Sequence, residues 1–225
     1  MPPRRPPRIR PAPAAAASAV AASAVEFANN AIRGHKRDGS AFLRADRVYG
    51  ESKPTHSARC QDRSMDLSGI PITTIRGEQT TFGALTEGKA ALVVNVASRC
   101  GLAPQYEALE ALHKKYADRG FTVIGFPSNQ FLQELSDEEK IAEYCSVTWG
   151  VTFPMSEKVK VNGRSAHPLY QELTRTPDAE GKKGRISWNF EKFVVFPDGR
   201  VVRFSPRTLP DAPEVVSAIE EALPH

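Results

Sequence analysis

The sequence predicts an α/β domain, with a central mixed β-sheet flanked by helices, that follows a disordered N-terminal leader. Two near-continuous apolar runs, 91–97 and 121–126, are typical of strands buried on both faces. A helical pattern separates these runs, which indicates a βαβ unit, and a strand hairpin and a last helix follow. With 225 residues, the chain is long enough for one medium domain plus extra sequence.

Composition excludes several classes of protein. The hydrophobic fraction of 40% and the charged fraction of 25% are ordinary for a globular domain. No apolar run approaches the ~20 residues that a membrane helix needs, so no integral membrane segment is expected. Three cysteines without a CxxC spacing rule out a disulfide scaffold and a zinc ribbon.

The formal net charge of +4 hints at a nucleic-acid partner, but the charge is unevenly distributed. Residues 1–64 contain 12 Lys and Arg against 5 Asp and Glu, whereas residues 65–225 contain 18 against 21. Because the folded part is mildly acidic, no nucleic-acid partner is expected.

Residues 1–64 do not have the pattern of a domain, since a Pro- and Arg-rich start is followed by a run of Ala, Ser and Val. Such a segment cannot bury enough apolar surface to offset its ordering entropy, which predicts disorder. Four interpretations of residues 1–64 stay open: an organelle transit peptide, a secretory signal, a functional tail, or upstream sequence before a true start at Met65. The expected compartment is the cytoplasm, or an organelle if the segment is a transit peptide.

The patterned domain is predicted to begin at residue 65 with a short hairpin of Ile70–Ile75 and Thr80–Phe82. A buried strand is predicted at Ala91–Ala97 and a helix at about Pro104–Ala117. Pro104 suits the first turn of that helix, and Gly120 suits its C-terminal cap.

The next predicted elements are a second buried strand at Phe121–Phe126 and two helices. Ser136 and Glu139 have the spacing of a capping box for a helix that runs to about Val147. A short helix is predicted near His167–Leu173.

The last part of the chain predicts a hairpin, Lys192–Phe196 and Arg200–Phe204, around a Pro-Asp-Gly turn, and then a helix at Asp211–Leu223. A βαβ unit followed by ββα is the layout of a thioredoxin-like fold.

Cys100 follows the first buried strand and comes just before a helix. Free backbone N–H groups and the helix dipole stabilise an anion at such a place, and the thiolate is the reactive form of cysteine. Arg99 adds positive charge nearby, and Gly101 lets the backbone approach the sulfur. The alternative is that Cys100 is a small buried apolar residue.

The other candidates give weaker signals by themselves. Cys145 lies on a predicted helix, where a single cysteine is usually part of the core, and Cys60 in the leader is assigned no role. Residues 128–130 follow the second buried strand, at the edge where open α/β sheets bind ligands. Trp188 and Asn189 precede a strand and supply uncharged N–H donors suited to a thiolate or a peroxide oxygen.

Several motifs, in this order, resemble the glutathione peroxidase family over about residues 67–223. They are Asn95-Val96-Ala97-Ser98-Arg99-Cys100-Gly101, Pro104-Gln105-Tyr106, Gly125-Phe126-Pro127-Ser128-Asn129-Gln130-Phe131, Tyr144-Cys145, Gly150-Val151-Thr152-Phe153-Pro154, Val161-Asn162-Gly163 and Trp188-Asn189-Phe190-Glu191-Lys192-Phe193.

The resemblance implies roles for five residues. The family's peroxidatic residue, cysteine or selenocysteine, falls on Cys100, which is a plain cysteine here. The rest of the family's catalytic tetrad is assigned to Gln130, Trp188 and Asn189. Cys145 occupies the position of the resolving cysteine of thioredoxin-dependent members, and the resemblance implies that its helix unwinds locally to form a disulfide.

The implied function is reduction of hydrogen peroxide and organic hydroperoxides, in response to oxidative stress. The reaction runs through a cysteine sulfenic acid and an intramolecular disulfide that a thioredoxin-type protein reduces. Neither a cofactor nor a metal is expected. Two alternatives stay open: a peroxide sensor that relays oxidation to a partner protein, and a glutathione-dependent peroxidase.

The sequence departs from the family pattern at three places. Ser128 stands where many relatives carry a cysteine. The run Leu132-Gln133-Glu134-Leu135-Ser136 replaces a Gly-rich run ending in Gln-Glu-Pro-Gly, is one residue shorter, and is expected to alter the placement of Gln130. The short stretch 170–188 lacks the insertion of tetrameric members and resembles the monomeric branch, which accepts bulkier hydroperoxides.

Overall fold

A computed structural model describes residues 65–224. Two sets of expectations fall on residues outside this range. The first concerns the leader, for which disorder, targeting and a later start were expected, and the second is that Cys60 has no role. Within the described residues, no helix has the length and apolarity needed to cross a membrane.

The described part contains six strands, five α-helices and one 3-10 helix (Ala117–Arg119), and most of them lie where the sequence predicts them. The strands are β1 (Pro71–Thr73), β2 (Gln79–Thr81), β3 (Ala90–Val96), β4 (Phe121–Pro127), β5 (Lys192–Val195) and β6 (Val201–Phe204). The helices are α1 (Phe82–Thr86), α2 (Gln105–Tyr116), α3 (Glu138–Trp149), α4 (Pro168–Leu173) and α5 (Pro213–Ala222).

Several local features differ from the predictions. Gly120 caps the 3-10 helix Ala117–Arg119 and not α2, which ends at Tyr116. Helix α1 is unpredicted, because its single turn is too short to show a helical period; Thr81 caps it by accepting the Ala84 N–H at 3.2 Å. The capping box is wrong, because Asp137 holds the N-cap position of α3 and makes no side-chain capping bond. The Ser136 hydroxyl instead donates to the Asp137 carboxylate at 3.0 Å.

The main sheet has the strand order β4-β3-β5-β6. Strand β3 pairs parallel with β4 and antiparallel with β5, and β5 pairs antiparallel with β6. All seven residues of β3 and all seven of β4 are buried, as their apolar sequences predict. This mixed sheet, built from a βαβ unit and a ββα unit, confirms the predicted thioredoxin-like fold.

Successive side chains of β3 enter two different hydrophobic clusters, one on each face of the sheet. Leu92 and Val94 pack in the cluster that contains residues of α2, α3 and α5. Ala91 and Val93 pack in the cluster that contains residues of α1 and α4. Because β3 and β4 are parallel and β5 is antiparallel to β3, the residues after β3 and β4 and those before β5 meet at one edge of the sheet.

A buried ion pair holds the long connection before β5 in place. The Arg203 guanidinium on β6 binds the Glu191 carboxylate, and both side chains are 3% exposed. Glu191 also accepts the Ser187 N–H at 2.7 Å, and Arg203 donates to the Arg185 carbonyl at 3.0 Å. The pair therefore ties β6 to the segment that leads into residues 188 and 189.

Replacing Arg203 by Met is expected to lower the free energy of unfolding by about 3–5 kcal/mol, because it leaves the Glu191 carboxylate buried without its cation. Urea unfolding measures this loss. The matched control is Arg175→Met, which breaks the more exposed pair with Glu172 and should cost at most about 1 kcal/mol. Equal losses in the two variants would contradict this account of the buried pair.

Candidate active site

Cys100 lies in the turn that connects β3 to α2, at the edge of the sheet where the three segments meet. Its side chain is 6% exposed, and its Sγ atom accepts the Leu102 N–H at 3.4 Å. The Cys100 carbonyl accepts the Ala103 N–H at 2.9 Å, so the turn wraps closely around the sulfur. A thiolate at this place has a backbone donor directed at it.

The loop after β4 folds back against the Cys100 turn. The Asn129 side chain accepts the Glu134 N–H at 3.1 Å, and Leu132 adopts the left-handed conformation, with φ of 58°. The Gln133 carbonyl accepts the N–H of Arg99, the neighbour of Cys100, at 2.8 Å. This compact loop therefore places Gln133 beside the turn that carries the sulfur.

The Glu134 carboxylate supports the same turn from a buried position. Its Oε1 atom accepts the Ser98 N–H at 3.0 Å and the Leu135 N–H at 2.7 Å. Burial raises the pKa of Glu134, although these hydrogen bonds and the charge of Lys158 oppose the rise.

Asn95, a fully buried polar residue in β3, holds the turn that precedes β5. Its side-chain amide donates to the Trp188 carbonyl at 3.0 Å and accepts the Glu191 N–H at 3.0 Å. Its backbone carbonyl accepts the Phe190 N–H at 2.6 Å, and Phe190 has a left-handed φ of 66°. These three bonds fix the path of Trp188 and Asn189 across the end of the sheet.

Asn189 joins this turn to the loop after β4. Its Nδ2 atom donates to Gln133 Oε1 at 3.0 Å, and its Oδ1 atom is buried with no hydrogen-bond partner among residues 65–224. Trp188 remains 42% exposed and packs on Phe131, with ring centroids 5.1 Å apart. The structure thus brings Gln133, Trp188 and Asn189 together next to the Cys100 turn.

Gln130, which the resemblance assigns to the tetrad, is not part of this arrangement in the structure. Its Oε1 atom accepts the N–H groups of Val161 and Asn162, each at 2.7 Å, and its Nε2 atom donates to the Asn162 carbonyl at 3.1 Å. With three bonds to one backbone segment, the Gln130 amide anchors the loop.

Gln133, which accepts the hydrogen bond from Asn189, was not among the site residues predicted from the sequence. The signal for it was present, because Gln133 and Glu134 keep the first two residues of the family's Gln-Glu-Pro-Gly run despite the shortened loop.

Cys145 is 2% exposed and lies on α3, in the same hydrophobic cluster as Cys100. Both are free thiols. Burial raises the pKa of Cys145 to about 11; the Tyr106 hydroxyl lowers it and the Glu134 carboxylate raises it further. At neutral pH Cys145 is therefore a protonated, unreactive thiol while α3 remains folded.

No group of three or more His, Cys, Asp or Glu side chains within residues 65–224 is arranged to hold a metal ion. The site contains the Cys100 sulfur, the side-chain amides of Gln133 and Asn189, and the Trp188 indole. These groups suit chemistry in which a sulfur nucleophile works among uncharged hydrogen-bond donors.

Comparisons with known proteins agree with this chemistry. Residues 68–174 match the family model described as glutathione peroxidase. The thioredoxin/glutathione peroxidase BtuE of Escherichia coli is 49% identical over 173 residues, which cover 68% of this chain and 94% of the relative. The glutathione peroxidase-like peroxiredoxin 2 of Saccharomyces cerevisiae is 49% identical over 140 residues, or 61% of this chain and 85% of the relative.

Among solved structures, the crystal structure of Trgpx in its apo form is 34% identical and superposes with a TM-score of 0.54. The match covers 72% of this chain and all of that one. The chain therefore belongs to the glutathione peroxidase family and is a glutathione peroxidase-like thiol peroxidase.

Proposed function

We propose that Cys100 is the sulfur that reduces the hydroperoxide, with Gln133, Trp188 and Asn189 as the groups that act on the peroxide beside it. The contact between Asn189 Nδ2 and Gln133 Oε1 at 3.0 Å carries this proposal, because it unites two separate segments next to the Cys100 turn. The substrates are hydrogen peroxide and organic hydroperoxides, which need no binding group beyond the O–O unit itself.

In the first step, the Cys100 thiolate attacks the terminal oxygen of the hydroperoxide. The new S–O bond forms as the O–O bond breaks, and the electron pair leaves on the second oxygen, which takes a proton to become water or an alcohol. The sulfur is oxidised by two electrons to a sulfenic acid, and the peroxide is reduced by the same two electrons.

The uncharged donors stabilise the charge that moves from sulfur to oxygen in this step. Because the Gln133 amide oxygen is already occupied by Asn189, its Nε2 is left to donate, together with the Trp188 indole N–H. The buried, unpartnered Oδ1 of Asn189 supplies an acceptor for a peroxide O–H. The donors are held before substrate arrives, so little reorganisation is needed during the reaction.

In the second step, Cys145 attacks the Cys100 sulfenic acid, and a disulfide forms as hydroxide leaves and is protonated to water. This step needs α3 to open, since Cys145 is buried and its pKa is about 11 in the closed helix. Only two residues of α3, Ile141 and Cys145, are buried, and Asp137 makes no side-chain cap at its start. Helices with so few buried contacts open locally at low free-energy cost, and exposure removes the desolvation that keeps the thiol protonated.

A thioredoxin-type dithiol is the proposed reductant of the resulting disulfide. Opening of α3 would bring the disulfide to the surface, where a protein thiolate can attack it by exchange. The yeast relative is named a peroxiredoxin, and the Escherichia coli relative is named for both thioredoxin and glutathione. The proposed enzyme acts as a monomer.

Intact mass after one equivalent of hydrogen peroxide tests the two sulfur roles. The wild-type chain should lose two hydrogens, Cys145→Ser should gain one oxygen and stop, and Cys100→Ser should do neither, because it has no attacking sulfur. Peroxide reduction that persists in Cys100→Ser would refute the assignment of that residue. Unchanged thioredoxin-dependent turnover in Cys145→Ser would assign the second step to an external thiol such as glutathione.

The rate of Cys100 oxidation by peroxide, measured by stopped flow, distinguishes the proposed catalytic role of Gln133 from the structural role of Gln130. Gln133→Ala should slow the reaction with peroxide tenfold or more, since loss of one directed donor costs ~2–4 kcal/mol of transition-state stabilisation. The matched control Gln130→Ala removes an identical amide from the same loop and should slow the reaction much less. A larger loss in Gln130→Ala would return the catalytic assignment to that residue.

A further inference from the structure

Lys192, the first residue of β5, is completely buried, which is rare for a lysine. Its Nζ atom donates to the Phe190 carbonyl at 2.6 Å, to the Pro206 carbonyl at 3.3 Å and to the Ser205 carbonyl at 3.5 Å. The amine thus joins the turn before β5 to the segment after β6. Nothing in the proposed mechanism uses this group.

The first of these bonds holds a strained residue next to the site. Phe190 directly follows Asn189 and has a left-handed φ of 66°, a conformation that costs free energy for a bulky side chain. Its N–H is bound by the Asn95 carbonyl at 2.6 Å, and its own carbonyl is bound by Lys192. The left-handed backbone conformation of Phe190, which sets the direction of Asn189, is therefore held by hydrogen bonds at both its N–H and its carbonyl.

The second bond reaches the other half of the site. The Pro206 carbonyl that binds Lys192 also accepts Gln105 Nε2 at 2.9 Å. Gln105 is the first residue of α2 and follows the Cys100 turn, with its N–H bound to the Leu102 carbonyl at 3.0 Å. One carbonyl thus connects the amine of Lys192 to the start of the helix behind the sulfur.

We propose that Lys192 is a positioning residue of the peroxidase site, which keeps the Trp188–Asn189 turn aligned with the Cys100 turn through the Phe190 and Pro206 carbonyls. This inference rests on the proposed roles of Cys100, Trp188 and Asn189. Lys192 acts through the backbone and does not touch the peroxide.

The protonation state of Lys192 supplies an independent readout. Burial lowers the pKa of Lys192 to about 7, opposed by the charge of Glu191, which is itself paired with Arg203. The protonated amine makes the stronger hydrogen bonds. The bonds from Lys192 to the Phe190 and Pro206 carbonyls therefore weaken as the pH rises through about 7.

The experiment compares two reactions of Cys100 in the full chain carrying Lys192→Met. Oxidation by hydrogen peroxide needs the aligned donors, whereas alkylation by iodoacetamide needs only the thiolate. At pH 6.5, roughly half a unit below the pKa of about 7, we expect oxidation to slow about tenfold or more and alkylation to change less than about twofold. Lys183→Met, which makes the same substitution at an exposed lysine, should leave both rates at wild-type values.

Equal rates of oxidation in Lys192→Met and the wild type would overturn the proposal. A parallel fall in oxidation and alkylation would also overturn it, since that result assigns the effect to ionisation of the sulfur or to a disturbed fold. Cys100→Ser must abolish oxidation in the same assay; if it does not, the proposed function fails, and the role of Lys192 falls with it.

A measurement on the wild-type chain decides the matter if Lys192→Met does not fold. The ratio of the oxidation rate to the alkylation rate corrects for the thiolate fraction at each pH. This ratio should fall as the pH rises through about 7, where the buried amine loses its proton. A ratio that stays constant across this range would contradict the proposal.

Discussion

The Asn95 side chain, bonded to the turn before β5, is the constraint on which the active site depends. A buried polar residue in an apolar strand is costly unless its hydrogen bonds are made, and both ends of this amide are bonded. Asn95 lies on β3, five residues before Cys100. One strand therefore leads directly into the turn that contains Cys100 and also fixes the turn that holds Trp188 and Asn189.

The side chains proposed to act beside the Cys100 sulfur, namely Gln133, Trp188 and Asn189, are all uncharged. The buried Glu191 carboxylate is bound by Arg203, and Glu134 points its oxygen to backbone N–H groups behind the Cys100 turn. The two thiols are treated differently: Cys100 accepts a backbone N–H, whereas burial keeps Cys145 protonated. This difference supports the proposed order, in which Cys100 reacts first and Cys145 reacts after α3 opens.

The sequence was sufficient for features that depend on local pattern. Continuous apolar runs predicted β3 and β4, and the family motifs predicted that Trp188 and Asn189 lie near Cys100. The family motifs assigned Gln130 alone, and the contact of Gln133 with Asn189 was not predicted, because it depends on a shortened loop and on the left-handed conformation of Leu132. The proposed role of Lys192 could not be predicted from the sequence either. Its partners, the carbonyls of Ser205 and Pro206, lie in the segment after β6, and only the folded chain brings them to the amine.

The most direct test of the arrangement is a crystal structure of the chain with Cys100 oxidised by peroxide. The oxygen on the Cys100 sulfur should lie within about 3.2 Å of Gln133 Nε2 and Trp188 Nε1, with Asn95 still bonded to the turn. An oxygen that contacts Gln130, or that faces bulk solvent away from these donors, would contradict the account.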